Sequence, residues 1–119
     1  MTSFDERVTL CAIDELADGE ARGFDPYGTG RDALFVVRRG EKLFAYRNVC
    51  PHQGASMPWR KNAYLNGAAT RIVCSAHGAQ FEIETGKCML GAALGRALKP
   101  IAIEVDADGK VQARISKEL

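Results

Sequence analysis

Short apolar or alternating runs, separated by turns rich in glycine, proline and aspartate, recur along this chain of 119 residues. Runs of roughly 4–8 residues with such boundaries are typical of β-strands. Helix-forming character is confined to residues 89–98, where glycines limit any helix to a single turn. The pattern predicts an all-β fold, with strands over residues 7–12, 20–24, 33–38, 42–47, 70–73, 79–84, 97–105 and 111–115.

The two central runs predict a β-hairpin. Residues 33–38 are almost wholly apolar, and a three-residue turn centred on Gly40 leads into the run at 42–47. This hairpin brings the chain to Cys50. A further predicted strand, at residues 70–73, runs directly into Cys74. The sequence therefore predicts that each of these two cysteines lies in a loop at the end of a strand.

The length and composition are those of a single domain. Single hydrophobic cores usually belong to domains of about 100–150 residues, so we expect one domain over residues 1–119. The chain is 46% hydrophobic and 26% charged. These fractions are ordinary for a globular protein that buries a core without disulfide staples.

The charge and hydropathy of the chain argue against nucleic-acid and membrane partners. The formal net charge is +1, which is too small for strong overall attraction to either anionic surface. No apolar run approaches the roughly 20 residues of a membrane span, and residues 1–7 do not resemble a signal peptide. We therefore expect a cytoplasmic monomer, in which cysteines serve more often as ligands than as disulfides.

The charges are unevenly distributed along the chain. Residues 1–30 are acidic, whereas residues 31–73 carry eight basic residues against two acidic ones. Two interpretations remain open at this point. The charges belong to an ordinary solvated surface, or they form a basic zone near the two cysteine loops that helps to dock an acidic partner.

Both histidines and two of the four cysteines occur in two similar motifs, Cys50-x-His52 and Cys74-x-x-His77. Zinc fingers pair cysteine with cysteine and histidine with histidine, so their spacing differs. A thiol protease needs one Cys/His pair, and a c-type haem site needs Cys-x-x-Cys-His, which is absent. The motifs predict a metal centre. Zinc in the same site, or buried Cys/His pairs without metal, are the alternatives.

This combination resembles the signature of the Rieske iron–sulfur proteins. The resemblance implies one 2Fe-2S cluster per chain, with Cys50 and Cys74 on one iron and His52 and His77 on the other. Neutral imidazoles in place of two thiolates make that second iron easier to reduce. Further residues that fit the small, aromatic and turn positions of the family are Gly54, Gly78, Phe81, Thr85 and Gly86.

The resemblance also implies the form of the fold. Rieske domains are antiparallel β-sandwiches or barrels with a small cluster-binding subdomain formed by two β-hairpin loops. In this chain the cluster-binding loops would occupy about residues 48–81, within the single domain.

The chain departs from the Rieske proteins of respiratory and photosynthetic complexes. Those proteins join the two loops by a disulfide, at positions where this chain has Ala55 and Ala76. They also place serine and tyrosine hydroxyls against the cluster and its cysteine, where this chain has Ala79 and Phe81. Residues 91–93 lack the Gly-Pro start that the third loop of the family usually has.

Two further cysteines, Cys11 and Cys88, stand apart from the motifs. Neither has a histidine close by in sequence, so we expect both to be small buried apolar side chains. Pro58 and Trp59 are expected to cover the first loop, the alternative being an exposed aromatic that takes part in docking.

The sequence indicates an electron carrier and not an enzyme. A substrate-activating oxygenase needs a mononuclear iron with two further histidines and a carboxylate, but both histidines here are assigned to the cluster. A glycine-rich dinucleotide loop is also absent. The resemblance implies a soluble ferredoxin that passes single electrons from a flavin-dependent reductase to a terminal ring-hydroxylating oxygenase. The alternatives are a small Rieske subunit of a larger oxidoreductase, such as a nitrite-reductase-like complex, and a redox-sensing module.

The missing hydroxyls predict a low reduction potential. Each absent donor leaves negative charge on sulfur less stabilised, so that an electron is harder to add. We expect a midpoint near the bottom of the roughly −150 to +300 mV Rieske range. A redox titration followed by electron paramagnetic resonance (EPR) measures it. A value above about +100 mV would place the protein outside the low-potential branch.

Overall fold

The computed structural model describes residues 5–51, 57–58, 61–75, 78–91 and 93–116. Within these ranges the chain forms strands and one short 3₁₀ turn, Ile13–Glu15, so the all-β fold class is confirmed. No helix in this part of the chain has the length and apolar character needed to cross a membrane. The strands are β1 (Asp5–Ala12), β2 (Ala21–Phe24), β3 (Leu34–Arg39), β4 (Lys42–Arg47), β5 (Arg71–Val73), β6 (Gln80–Glu82), β7 (Cys88–Leu90), β8 (Ala102–Val105) and β9 (Lys110–Ser116).

These strands form three antiparallel sheets of three strands each. Their orders are β1-β9-β8, β2-β3-β4 and β5-β6-β7. β3 and β4 form the predicted central hairpin, with Leu34 opposite Arg47. β5 and β6 form a second hairpin, with Arg71 opposite Glu82. The loop that contains Cys50 follows the first hairpin, whereas Cys74 lies in the loop between β5 and β6, so the two cysteine loops leave different sheets.

Three strands differ from the sequence prediction. β6 ends at Glu82, because residues 83–85 form a turn where the sequence predicts a strand up to residue 84. β7 lies in a stretch for which the sequence predicts no strand, and it forms by pairing with β6. The predicted strand over residues 97–105 is continuous only over β8. Before β8, Ala97 and Pro100 each take part in an isolated bridge, with Lys87 and Tyr46 respectively. Proline has no N–H group with which to extend a ladder of hydrogen bonds.

β3 is buried on both faces and separates two hydrophobic cores. Phe35 and Val37 belong to one core, while Leu34 and Val36 belong to the other, because successive side chains of a strand point in opposite directions. The site-side core is the cluster of Ala21, Phe35, Val37, Tyr46, Cys50, Met57, Tyr64, Ile72, Cys74, Ala79, Phe81, Ile83, Cys88, Ala93 and Leu98. The distal core is the cluster of Cys11, Leu16, Phe24, Leu34, Val36, Ala45, Ile101, Val111, Ala113 and Ile115.

The buried side chain of Asn48 connects the end of β4 to the two segments beside it. Its amide nitrogen donates to the backbone oxygen of Asp32 at 3.0 Å, and its amide oxygen accepts from the backbone N–H of Met57 at 2.8 Å. Its backbone N–H donates to the oxygen of Ala33 at 3.0 Å. Asn48 therefore holds both ends of the loop that contains Cys50.

Replacing a buried residue of the distal core should lower the stability of the protein. Ile115 is fully buried in the distal core, so Ile115→Ala is expected to lower the free energy of unfolding by about 2–5 kcal/mol. Urea denaturation followed by circular dichroism measures the change. Val105→Ala is the control, because Val105 is 44% exposed, and its effect should stay within about 0.5 kcal/mol. Equal losses in the two variants would contradict the burial of Ile115 in the distal core.

Asn48→Ala should also destabilise the protein, because it leaves the Met57 N–H and the Asp32 carbonyl without their partner. Two buried groups left unpaired predict a loss of about 2–4 kcal/mol in the free energy of unfolding. Asn66→Ala is a matched control, since the Asn66 side chain makes a similar set of hydrogen bonds to Thr70 and Arg71 in a more exposed turn. A loss in Asn66→Ala as large as in Asn48→Ala would show that burial is not the cause.

Candidate metal centre

Two cysteines lie in loops that follow strands of different sheets. Cys50 lies three residues after β4, and Cys74 follows β5 directly. Both side chains are almost fully buried, with 2% and 1% exposure, and both belong to the site-side core. The fold therefore places in one core the two cysteines that the sequence analysis assigns to one iron.

Backbone hydrogen bonds define the shape of the loop between β5 and β6. The N–H of Cys74 donates to the oxygen of Ala79 at 2.9 Å, and the N–H of Gly78 donates back to the oxygen of Cys74 at 2.8 Å. The N–H of Ser75 donates to the oxygen of Met57 at 2.8 Å. This last bond joins the two cysteine loops directly, since Met57 lies on the far side of the loop that begins at Cys50.

A third segment packs against both cysteine loops. We call it the third loop, and the structure describes its residues 91 and 93–96. Gly91 has a φ of +104°, and a Cβ atom at this position would lie 2.9 Å from the Cα of Ala79. Glycine therefore serves both the left-handed conformation and the close approach to the second cysteine loop. At its other end, the Arg96 guanidinium donates to the oxygen of Pro51 at 2.7 Å.

The predicted histidine ligands, His52 and His77, lie outside the described residues. So do Ala55 and Ala76, the positions that distinguish this chain from the disulfide-containing Rieske proteins. Among the residues that the structure describes, no group of three or more side chains suited to a metal ion is present. The set of four ligands therefore stays a prediction, and the structure describes two of its members, Cys50 and Cys74.

The described members fit an iron–sulfur centre. All four cysteines of the chain are buried and none is in a disulfide. Thiolates are the ligands that iron–sulfur clusters use, and an apolar surrounding excludes water from them. The two cysteines of the predicted ligand set, Cys50 and Cys74, therefore both lie inside one core.

The other two cysteines are buried, as the sequence predicts. Cys11 lies in the distal core, where burial is the largest effect that raises the pKa of its thiol. Cys88 lies in the site-side core, and its thiol is 3.4 Å from the backbone oxygen of Leu90. Both therefore pack as small apolar side chains.

The site-side core contains two tyrosines, Tyr46 and Tyr64, and burial raises the pKa of both hydroxyl groups. Tyr46 donates to the backbone oxygen of Ile83 at 2.6 Å, and burial, with the charges of nearby acidic residues, raises its pKa to about 12. Tyr64 stacks on Phe35 with ring centroids 4.2 Å apart, and burial followed by the nearby Asp32 carboxylate raises its pKa further. The buried positions of Ala79 and Phe81 carry no hydroxyl.

Sequence reasoning did not identify Asn48, Met57 or Arg96 as parts of this site. Asn48 is polar at the end of a predicted strand, which is a weak signal because strands commonly end at such residues. Met57 and Arg96 contribute through backbone or long-range contacts that no local pattern records. These residues position the loops and are not expected to be ligands.

Comparison with known protein families agrees with this centre. Residues 6–113 match the Rieske [2Fe-2S] domain family. A ferredoxin component of an alkene monooxygenase system from Xanthobacter autotrophicus is 34% identical over 85 residues, which are 69% of this chain and 62% of that protein. A cytochrome b6-f complex iron–sulfur subunit from Trichodesmium erythraeum is 35% identical over 69 residues, which are 56% of this chain and 35% of that protein.

The fold is also that of a chain in a solved complex of an oxygenase and a ferredoxin. A chain from the complex of reduced oxygenase and oxidized ferredoxin in carbazole 1,9a-dioxygenase superimposes with a TM-score of 0.71 and 27% identity. The superposition covers 91% of this chain and 92% of that one. By contrast, the chain spans less than two thirds of the length of the two relatives above. On its residues, its fold and its family match, the chain belongs to the Rieske [2Fe-2S] domain family, whose cofactor is a 2Fe-2S cluster.

Proposed function

We propose that this protein is a Rieske-type ferredoxin that carries single electrons from a flavoprotein reductase to a terminal ring-hydroxylating oxygenase. The observation that carries the proposal is the pair of buried thiols, Cys50 and Cys74, held at adjoining loop bases in one core. The family match over residues 6–113 and the likeness to ferredoxin components of oxygenase systems support it.

In this proposal Cys50 and Cys74 hold one iron, and His52 and His77 hold the other. The bound cluster supplies a one-electron redox centre. The chain's own residues keep that centre in place: the apolar core excludes water from the thiols, and Asn48 fixes the loop that follows β4. A site held this way changes little in geometry when its charge changes, which suits a carrier.

The proposed partners rest on the names of similar proteins and on the number of histidines in the chain. One relative is named as part of an alkene monooxygenase system, and one solved structure holds a ferredoxin with an oxygenase. The chain has two histidines; with both on the cluster, no imidazole remains for a mononuclear iron of its own. It would therefore deliver electrons to a substrate-activating enzyme and would not act on substrate itself. We propose that it does so as a cytoplasmic monomer consisting of one domain over residues 1–119.

Substitution of the proposed ligands tests the site. His52→Ala and His77→Ala should each abolish the rhombic, low-average-g EPR signal of the dithionite-reduced protein, because a Rieske centre needs both imidazoles. Cys88→Ala is the control and should retain the signal, since Cys88 is not one of the proposed ligands and packs as a small apolar side chain. Iron and acid-labile sulfide analysis should give about two of each per wild-type chain. A colourless protein that contains one zinc would refute the assignment.

A hydrodynamic measurement separates a shuttle from a permanently bound subunit. A free carrier should elute from size exclusion as a stable monomer and should accept electrons from a flavoprotein reductase in solution. Insolubility, or loss of the fold unless a larger subunit is co-expressed, would favour the small-subunit alternative. The EPR result would be the same in both cases, so the two experiments answer different questions.

A further inference from the structure

Apolar side chains are exposed at the end of the molecule that carries the cysteine loops. Val49, directly before Cys50, is 37% exposed, and Leu94, in the third loop, is 62% exposed. Leu90, directly before the third loop, is 55% exposed. These are three of the six exposed large apolar side chains in the described part of the chain. Single exposed apolar residues are ordinary, whereas a group of them at a functional end indicates an interaction surface.

Direct contacts place the segment that carries Leu90 and Leu94 beside both cysteine loops. Leu90 pairs with Gln80 on β6, and Gly91 packs on Ala79, whose backbone oxygen accepts the N–H of Cys74. The other end of the third loop reaches the first cysteine loop through the bond from Arg96 to Pro51. Leu90 and Leu94 therefore belong to a segment that touches both cysteine loops.

A shallow recess lies beside this segment. It has a volume of about 100 Å³ and is lined by Arg47, Val49, Pro51, Ala97 and Lys99. Arg47 and Lys99 are held next to each other, because the backbone N–H of Arg47 donates to the oxygen of Lys99 at 3.0 Å. The recess is therefore lined by three apolar residues and two basic ones.

Two long stretches of the sequence, which include both cysteine loops and the third loop, carry basic residues and no acidic ones. Residues 42–81 contain five basic residues and no acid, and residues 86–103 contain three basic residues and no acid. All 15 acidic residues lie elsewhere in the chain. The formal net charge of +1 therefore conceals a separation of charge along the sequence.

We propose that Val49, Leu90 and Leu94, with Arg47, Arg96 and Lys99 around them, form the docking face for an electron-transfer partner protein. The partner's own docking surface would be apolar at its centre and acidic at its rim. This inference rests on the proposed function, because it names the partner chemistry of the same metal centre. An apolar centre excludes water from the path of the electron, and a charged rim raises the encounter rate and orients the two proteins.

The charge of the face is tested with small oxidants that need no partner. The reduced protein loses one electron to hexacyanoferrate(III), an anion, or to hexaamminecobalt(III), a cation, and each acceptor is reduced to its divalent metal form. At low ionic strength, Lys99→Glu should slow oxidation by the anion roughly threefold to tenfold and accelerate oxidation by the cation. Lys99→Gln should give about half that effect on a logarithmic scale, because it changes one charge instead of two.

Lys110 supplies the matched control, because it is an exposed lysine at the start of β9 in the sheet remote from the cysteine loops. Lys110→Glu and Lys110→Gln should each change both rates by less than about 1.5-fold. Similar changes at Lys99 and Lys110 would overturn the proposal, because only the net charge of the protein would then matter. Stopped-flow absorbance gives the rates, and raising the salt concentration should remove the difference between the Lys99 variants.

The apolar centre is tested with an acidic cytochrome as the electron acceptor. Leu94→Ser should slow electron transfer to this cytochrome by about threefold or more, while leaving the rate with hexacyanoferrate(III) unchanged, since a small ion does not need a docking face. Val105→Ser, on β8, is the control for loss of an exposed apolar side chain. Unchanged transfer to the cytochrome in Leu94→Ser would remove the apolar centre from the proposal.

Two measurements that do not depend on electron transfer complete the test. Carbodiimide coupling should link Lys99, and not Lys110, to carboxylates of the acidic cytochrome, as mapped by mass spectrometry. Sedimentation with phosphatidylcholine–phosphatidylserine vesicles should show no binding. Binding that is lost in Leu94→Ser would assign the face to an anionic membrane and overturn the proposal. A protein without the reduced EPR signal would instead refute the proposed function, so the two failures are distinguishable.

Discussion

The burial of β3 on both of its faces is the constraint on which the rest of the structure depends. Phe35 and Val37 support the core that contains the cysteine thiols, while Leu34 and Val36 support the opposite core. A shift of β3 by one residue would exchange these two sets of side chains. The register of the central hairpin therefore positions the metal centre as well as the sheet, and the exit from β4 towards Cys50 follows from it.

The cysteine loops depend on the strands beside them for their shape. They are too short to bury an apolar core of their own, so hydrogen bonds to neighbouring segments take that role. Asn48 ties the base of the first loop to the residues before β3, and the bond between Ser75 and Met57 joins the two loops. The third loop adds contacts at Ala79 and Pro51. Contacts from three segments of the chain therefore hold the cysteine loops in place.

The distribution of charge reflects the same division of the molecule. Acidic residues lie in segments 1–41, 82–85 and 104–118, while the segments around the cysteines are basic or apolar. A basic surrounding favours added negative charge on a reduced centre, whereas missing hydroxyl donors disfavour it. These two effects on the reduction potential oppose each other. Hydroxyl donors would lie closer to the sulfur atoms than the basic side chains, so we expect their absence to dominate.

The amino-acid sequence by itself determined the all-β fold class, the range of β4 at residues 42–47, and the chemistry of the motifs that contain Cys50 and Cys74. These follow from local signals: the period of two along a strand, the turn residues, and the order of ligand types. The tertiary structure alone decided the formation of β7, the interruption of the predicted strand near Pro100, and the role of Asn48. Each of these depends on pairing between residues distant in sequence, and a local pattern carries no information about which distant group will be the partner.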